Sequence, residues 1–152
     1  AQSLRHLAIA FDTSASRAIG FSRRVRRLDT LISALARQHP GLTLEVRAFD
    51  QDVKTVFKGR ATDFGAPQRE ALLSRGALGA SDLGNLLESL KAKPPQRLLV
   101  VTDGVATSGK SELADLRVDL ETLKRGGLLR LDVVLDATRG ILRPRNLLRN
   151  KG

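Results

Sequence analysis

The stretch AIAFDTSAS, residues 8–16, decides the fold of this chain. Its first four residues are apolar, as in a strand buried against a core, and a carboxylate follows at Asp12. Hydroxyls then alternate at Ser14 and Ser16, with Ala15 between them. A turn needs polar residues, but it does not need two hydroxyls spaced two apart. The alternation predicts that both hydroxyl oxygens face one point just beyond the end of a strand.

The composition is that of one domain with an aliphatic core. The chain has 152 residues, of which 41 % are hydrophobic and 3 % aromatic, so Leu, Val, Ile and Ala must fill the core. With five Phe and no Trp or Tyr, stacking on single-stranded nucleic acid is disfavoured. The absence of cysteine excludes a disulfide framework and a thiolate metal site.

The positive charge is large but evenly spread along the sequence. Lys and Arg number 26 against 16 Asp and Glu, giving a net charge of +10. Residues 1–76 and 77–152 carry 13 basic groups each, with the densest runs at 23–27 and 139–151. Such an excess favours attraction to phosphate or anionic surfaces. The even spread is more typical of solvated faces on an Arg-rich chain.

No segment predicts membrane insertion or secretion. No apolar run approaches the ~20 residues that span a bilayer, and no signal-peptide pattern is present. The chain begins with Ala, so we expect either a mature protein or, preferably, a domain of a longer one. Residues 1–138 form the predicted domain, and 139–152 are a basic tail or truncated final elements.

Strand-like and helix-like segments alternate along the chain. The predicted strands are 7–11, 42–49, 53–57, 97–102 and 129–135. The predicted helices include apolar stripes at 28–35, 83–90 and 113–123, with a shorter helix at 67–75. This alternation predicts an α/β three-layer open sandwich with helices on both faces of a mostly parallel sheet. The short connection after 42–49 predicts one antiparallel edge strand at 53–57.

Three stretches place hard oxygen donors where strands or loops meet helices or turns. They are FDTSAS (11–16), GASDLG (79–84) and VVTDG (100–104). Ligands of open α/β sheets bind at the carboxyl ends of strands, and Mg²⁺ prefers carboxylate and hydroxyl oxygens. Histidine and thiolate are absent from all three stretches, which disfavours zinc.

This combination resembles the von Willebrand factor type A (VWA) domain and its metal-ion-dependent adhesion site. Asp12, Ser14 and Ser16 match the Asp-x-Ser-x-Ser pattern, and Thr102-Asp103-Gly104 matches the later T-D-G pattern. Ser81 falls where the family has a threonine. The resemblance implies a Rossmann-like fold and covers most of the chain, although the family's closing elements are not recognisable after the fifth strand.

The resemblance implies a metal site with one position open for a partner. Ser14, Ser16 and Ser81 would bind Mg²⁺ directly, with Mn²⁺ or Ca²⁺ as alternatives, while Asp12 and Asp103 would act through bound water. A carboxylate from a protein partner would fill the open position. The implied function is thus metal-dependent protein–protein interaction or adhesion, without catalysis.

The sequence departs from the family pattern around this site. The family commonly has Gly where Ala15 stands and often Met where Arg17 stands. Arg17 adds a positive charge that could weaken metal binding or pair with a partner's carboxylate, and Asp82 is a second candidate partner contact or a helix cap. The nearest branch is that of VWA domains joined to an inter-alpha-trypsin-type (VIT) domain, which implies a longer bacterial protein.

Two other functions compete with adhesion. A haloacid-dehalogenase-type phosphotransferase also places an Asp after its first strand, but its second carboxylate is replaced here by Ser14, so the proton-transfer group is missing. We therefore expect no enzyme. The main alternative is a VWA-fold module that binds nucleic acid or an anionic surface and has a vestigial metal site, as the charge of +10 suggests.

Overall fold

A computed structural model describes residues 4–14, 19–75, 80–102, 113–137, 140–141 and 145–146. The first half of the fold holds three strands, two helices and a one-turn 3₁₀ helix. In chain order these are β1 His6–Asp12, α1 Phe21–Gln38, β2 Thr43–Phe49, β3 Val53–Arg60, the 3₁₀ turn Ala61–Asp63 and α2 Ala66–Ser74. The second half is α3 Leu83–Ser89, β4 Arg97–Thr102, α4 Leu113–Arg125, β5 Arg130–Ala137, β6 Gly140–Ile141 and β7 Arg145–Asn146.

The sheet is mostly parallel, and its strand order reverses at β1. The order is β3-β2-β1-β4-β5-β6, with β7 also paired to β5. Strands β2, β1, β4 and β5 run parallel, and β3 is antiparallel at the β2 edge. The predicted α/β fold and the antiparallel edge strand are therefore confirmed. The two-residue strands β6 and β7 add short antiparallel pairs at the other edge, which the sequence analysis did not predict.

Helices cover both faces of the sheet, because the side chains of each central strand alternate. From β1, Ile9 and Phe11 point into a core shared with α1 and α2. Ala8 and Ala10 point to the opposite core, which contains the apolar stripes of α3 and α4. This two-residue period is what a strand buried on both faces requires, and it confirms the three-layer architecture.

The N-cap residue of helix α1 is a glycine. Gly20 has φ +96°, the left-handed region that favours glycine, and as the N-cap residue it has no side chain with which to cap the helix. Its buried stripe of Val25, Leu28 and Ile32 packs on the sheet. Because a parallel strand and its following helix run in opposite directions, the start of α1 lies at the carboxyl end of β1. Among the described residues, no helix is both long and apolar enough to cross a membrane.

Candidate functional site

Asp12 ends β1 at the point where the strand order reverses. It pairs with Phe49 on β2, while β1 pairs with β4 on its other side. The side chain of Asp12 is fully buried. Its Oδ1 accepts the Ser14 N–H at 2.9 Å, and its Oδ2 accepts the Thr102 hydroxyl at 2.7 Å. The first and last of the three predicted stretches therefore meet at this carboxylate.

The backbone carbonyl of Asp12 also accepts a hydrogen bond. Arg24 on α1 is buried and donates from its guanidinium to the Asp12 carbonyl at 3.3 Å. The guanidinium carbon of Arg24 lies 5.2 Å from the ring centre of Phe11 and 5.8 Å from that of Phe21. Such cation–π contacts stabilise a buried cation. All three oxygens of Asp12 are thus oriented by a donor.

The middle stretch, GASDLG (79–84), reaches the same end of the sheet through its contact with Asp50, the residue that follows β2. The Thr13 hydroxyl donates to Asp50 Oδ2 at 2.9 Å, and the Thr13 N–H donates to the Phe49 carbonyl at 2.8 Å. On the other side, the Asp82 N–H donates to the Asp50 carbonyl at 2.9 Å. The loop after β1 and the start of α3 therefore flank the end of β2, with Ser81 buried beside it.

Three of the seven predicted site residues, Ser16, Arg17 and Asp103, lie outside the described residues. Of the others, Asp12 and Ser81 are buried and Ser14 is half-buried. Asp82 is the N-cap of α3, its Oδ1 accepting the Asn85 N–H at 2.9 Å. The cap is one of the two roles predicted for Asp82, and a partner contact by it stays a prediction.

Two further aspartates are buried at the same end of the sheet, and both have arginine partners. Asp136 on β5 is contacted by Arg27 at 2.6 Å and by Arg24 at 3.9 Å. Asp50, which follows β2, is contacted by Arg75 at 3.3 Å. Sequence reasoning missed these pairs and assigned the run 23–27 to solvated surface. The available signal was the position of Arg24, which lies four residues before Leu28 and therefore on the buried face of α1.

Asp12 differs from these two neighbours in its charge balance. Within the described part of the chain, no cationic side chain lies within ion-pair distance of the Asp12 carboxylate. Burying a carboxylate without a counter-charge is costly, and among the described residues only the hydrogen bonds from Ser14 and Thr102 offset that cost at Asp12. The donor set also fits Mg²⁺, because Asp12, Ser14 and Ser81 supply only hard oxygens. The described residues contain no cluster of three or more His, Cys, Asp or Glu that could hold a metal.

The pKa of Asp50 lies below its usual value of 3.8. Burial, the largest single influence, favours the neutral carboxyl and raises the pKa. It is outweighed by the Asp52 N–H, the Thr13 hydroxyl and the charge of Arg75, which together favour the carboxylate. Asp50 is therefore a structural anion that holds the β2 end between the two loops.

Comparison with known proteins identifies the fold. No protein-family model matches the sequence, and neither does any curated protein. Among solved structures, the VWA domain of SpRpn10 is similar with a TM-score of 0.63 and 12 % identity, over 86 % of this chain and 74 % of that one. A von Willebrand factor type A protein from Catenulispora acidiphila has a TM-score of 0.56 and 18 % identity.

A third similar structure is the conserved hypothetical protein BatB from Bacteroides thetaiotaomicron, with a TM-score of 0.55 and 16 % identity over 85 % of this chain. The match to the Catenulispora protein covers 86 % of the present chain but only 33 % of that protein. The match to BatB covers 65 % of BatB. These likenesses establish that the chain has a VWA fold.

The buried pair at Asp136 predicts a large stability effect. Replacing Asp136→Ala leaves the buried Arg24 without its counter-charge, so the free energy of unfolding should fall by about 3 kcal/mol. The control is Asp29→Ala, which breaks the partly exposed pair with Arg69 and should cost less than about 1 kcal/mol. Urea unfolding measures both values, and equal losses would contradict the argument.

Asp50 predicts a specific acid sensitivity. Because its folded pKa is below the unfolded 3.8, its contribution to stability is fully present above pH 3.8 and is lost as the pH falls through the folded pKa. Asp50→Asn should therefore lower stability at neutral pH and flatten the stability profile below pH 3.8. Chemical unfolding between pH 2 and 7 tests this, with the exposed Asp52→Asn as control. Profiles of the same shape for wild type and Asp50→Asn would refute the role of this carboxylate.

Proposed function

We propose that this chain is a protein-interaction module that binds its partner through a divalent cation at the carboxyl end of β1. The observation that supports this most directly is Asp12, a fully buried carboxylate whose oxygens are oriented by Ser14 and Thr102. It has no counter-charge among the described residues, unlike Asp50 and Asp136. A cation at this position would supply the missing compensation.

The residues of the chain would have two different roles at this site. Ser14, Ser16 and Ser81 would supply hydroxyl ligands, and Asp12 and Asp103 would supply charge through bound water. Thr102 and the Ser14 amide fix the Asp12 carboxylate before any cation arrives, because each donates to one of its oxygens. Arg24 fixes the adjoining carbonyl. This preorganisation reduces the entropy that is lost when the cation is bound.

The partner would contribute a carboxylate. When Mg²⁺ is held by few carboxylates it keeps exchangeable water positions, and a bound cation of this kind accepts an oxygen ligand from another protein. Arg17 and Asp82 would contact that partner at the rim. The proposal includes no chemical step, since a second carboxylate for proton transfer is absent at Ser14, and the chain would serve as one domain of a larger VIT-type protein.

Metal titration with a matched control tests the site. Calorimetry of the wild-type chain should show Mg²⁺ or Mn²⁺ binding in the low millimolar range or tighter, and Asp12→Ala should abolish it. The control Asp52→Ala removes an exposed acid at the same end of the sheet and should retain wild-type affinity. Equal affinities for the Asp12 and Asp52 variants, or no binding by the wild type, would overturn the metal-dependent proposal.

Metal removal should also change stability. A ligand that binds only the folded state stabilises it by about 2.7 kcal/mol at a hundredfold excess over its Kd. We therefore expect Mg²⁺ to raise the wild-type free energy of unfolding by that amount, EDTA to reverse the gain, and Ser14→Ala to reduce it. A gain of the same size in Asp12→Ala would assign the stabilisation to a different site.

A further inference from the structure

A row of arginines lies at the end of the sheet opposite Asp12. Arg5 directly precedes β1, Arg97 is the first residue of β4, and Arg130 is the first of β5. Antiparallel β3 ends at this edge with Arg60, which pairs with Thr43 at the start of β2. Arg97 and Arg130 are direct cross-strand neighbours. The fold therefore brings four arginines that are far apart in sequence to one end of the sheet, with Arg60 on the face opposite that of Arg97 and Arg130.

The C-terminal ends of two helices add cations to the same edge. Helix α1 ends here, because the Leu4 N–H donates to Nδ1 of His39 at 2.9 Å, and Arg37 lies in its last turn. Helix α4 ends beside β4, because the Leu129 N–H donates to the Gln96 carbonyl at 2.7 Å. We define the amino-end surface by its exposed cations: Arg5, Arg37, Arg60, Lys93, Arg97, Lys124, Arg125 and Arg130.

Few acids balance these cations. Among the described residues, the eight cations of the amino-end surface face five acids, Glu45, Asp63, Glu88, Glu121 and Asp132. Glu121 and Asp132 are already engaged by Lys124 and Arg130. The carboxyl end of the sheet is close to neutral by comparison. Its described acids are Asp12, Asp50, Asp52, Asp82 and Asp136, and its described cations are Arg23, Arg24, Arg26, Arg27, Lys54 and Arg75.

The stability of the isolated domain does not account for the strand arginines. Basic residues in the last turn of a helix are favoured by the helix dipole, which explains Arg37, Lys124 and Arg125. Like charges directly opposite each other on neighbouring strands are instead destabilising, and Arg97 faces Arg130 in this way, with Asp132 compensating Arg130 only. No ion pair with any residue that the structure describes is formed by Arg5, Arg60 or Arg97. An anionic ligand would relieve this repulsion.

We propose that the amino-end surface binds the phosphate backbone of double-stranded nucleic acid. The row from β3 to β5 crosses four gaps between strands, or about 19 Å at about 4.8 Å each. A duplex carries one phosphate charge per ~1.7 Å of its axis when both strands are counted, so a length of axis equal to this row holds roughly eleven phosphates, and those on the near side can contact the arginines. Guanidinium groups bind phosphate through paired hydrogen bonds. The surface lies at the opposite end of the sheet from the proposed metal site and needs no metal.

The side-chain inventory favours a duplex over single strands or membranes. Every Phe lies in the described part of the chain, and none is exposed. The chain has no Trp or Tyr. Single-stranded nucleic acid is usually held by stacking on exposed aromatic rings, and interfacial membrane binding uses Trp, Phe or Leu on an amphipathic helix. Backbone contacts by exposed arginines are sufficient for a duplex, and they carry no sequence preference.

Fluorescence anisotropy with a labelled 20-base-pair DNA duplex tests the proposal across a series of salt concentrations. Four phosphate contacts predict a slope of log K against log salt of about −3.6. The charge-reversal pair Arg60→Glu/Arg97→Glu should weaken binding at least about tenfold at low salt and reduce the magnitude of the slope by about 1.8. The matched control Arg23→Glu/Arg26→Glu changes net charge equally at the carboxyl end, where both side chains are exposed, and should weaken binding much less.

Several outcomes would overturn the proposal. These are the absence of duplex binding by the wild type, equal losses in the two charge-reversal pairs, or tighter binding to anionic vesicles or polyglutamate than to the duplex. Circular dichroism checks folding, and Arg60→Gln/Arg97→Gln replaces the reversal pair if that pair does not fold. EDTA and Asp12→Ala should leave duplex affinity unchanged, so failure of the metal proposal and failure of this one are distinguishable.

Discussion

A buried carboxylate needs a counter-charge or a full set of hydrogen bonds, and this constraint organises the carboxyl end of the sheet. Three aspartates are buried there, at the ends of β1 and β5 and just after β2. Two of them are compensated by arginines, one from α1 and one, Arg75, directly after α2. Asp12 has only hydrogen-bond donors within the described part of the chain. Asp12 is thus the one of the three without an arginine partner among the described residues, and it lies at the point where strand order reverses, which is where open α/β sheets bind ligands.

Much of the fold could be predicted from sequence, because its signals are local. The apolar run before Asp12 and the leucine stripes of α3 and α4 follow the periods of strands and helices closely. The short strands β6 and β7 could not be predicted, because two-residue strands depend on a neighbour rather than on any pattern of their own. Whether the domain ends at residue 138 stays a prediction.

The candidate site was predicted less completely than the fold. The pattern Asp-x-Ser-x-Ser pointed to Asp12 and Ser14, whose role at a site stays a prediction. The Thr13–Asp50 and Arg24–Asp136 contacts join residues 37 and 112 positions apart, and spacing within a motif cannot reveal such pairs. The charge distribution shows the same limit. Along the sequence the basic groups are evenly distributed. In the fold, Arg5, Arg97 and Arg130 lie at the same end of the sheet, because the strands that they precede or begin are parallel. The metal dependence itself stays a prediction.

The central claim is that the carboxylate of Asp12 is oriented to compensate a divalent cation. The most direct measurement is anomalous diffraction from a crystal of the chain soaked in Mn²⁺. We predict one strong peak in direct contact with the hydroxyls of Ser14 and Ser81, with Asp12 reached through a bound water. A peak bound instead at Asp50 or Asp52, or no peak at all at saturating Mn²⁺, would contradict the account.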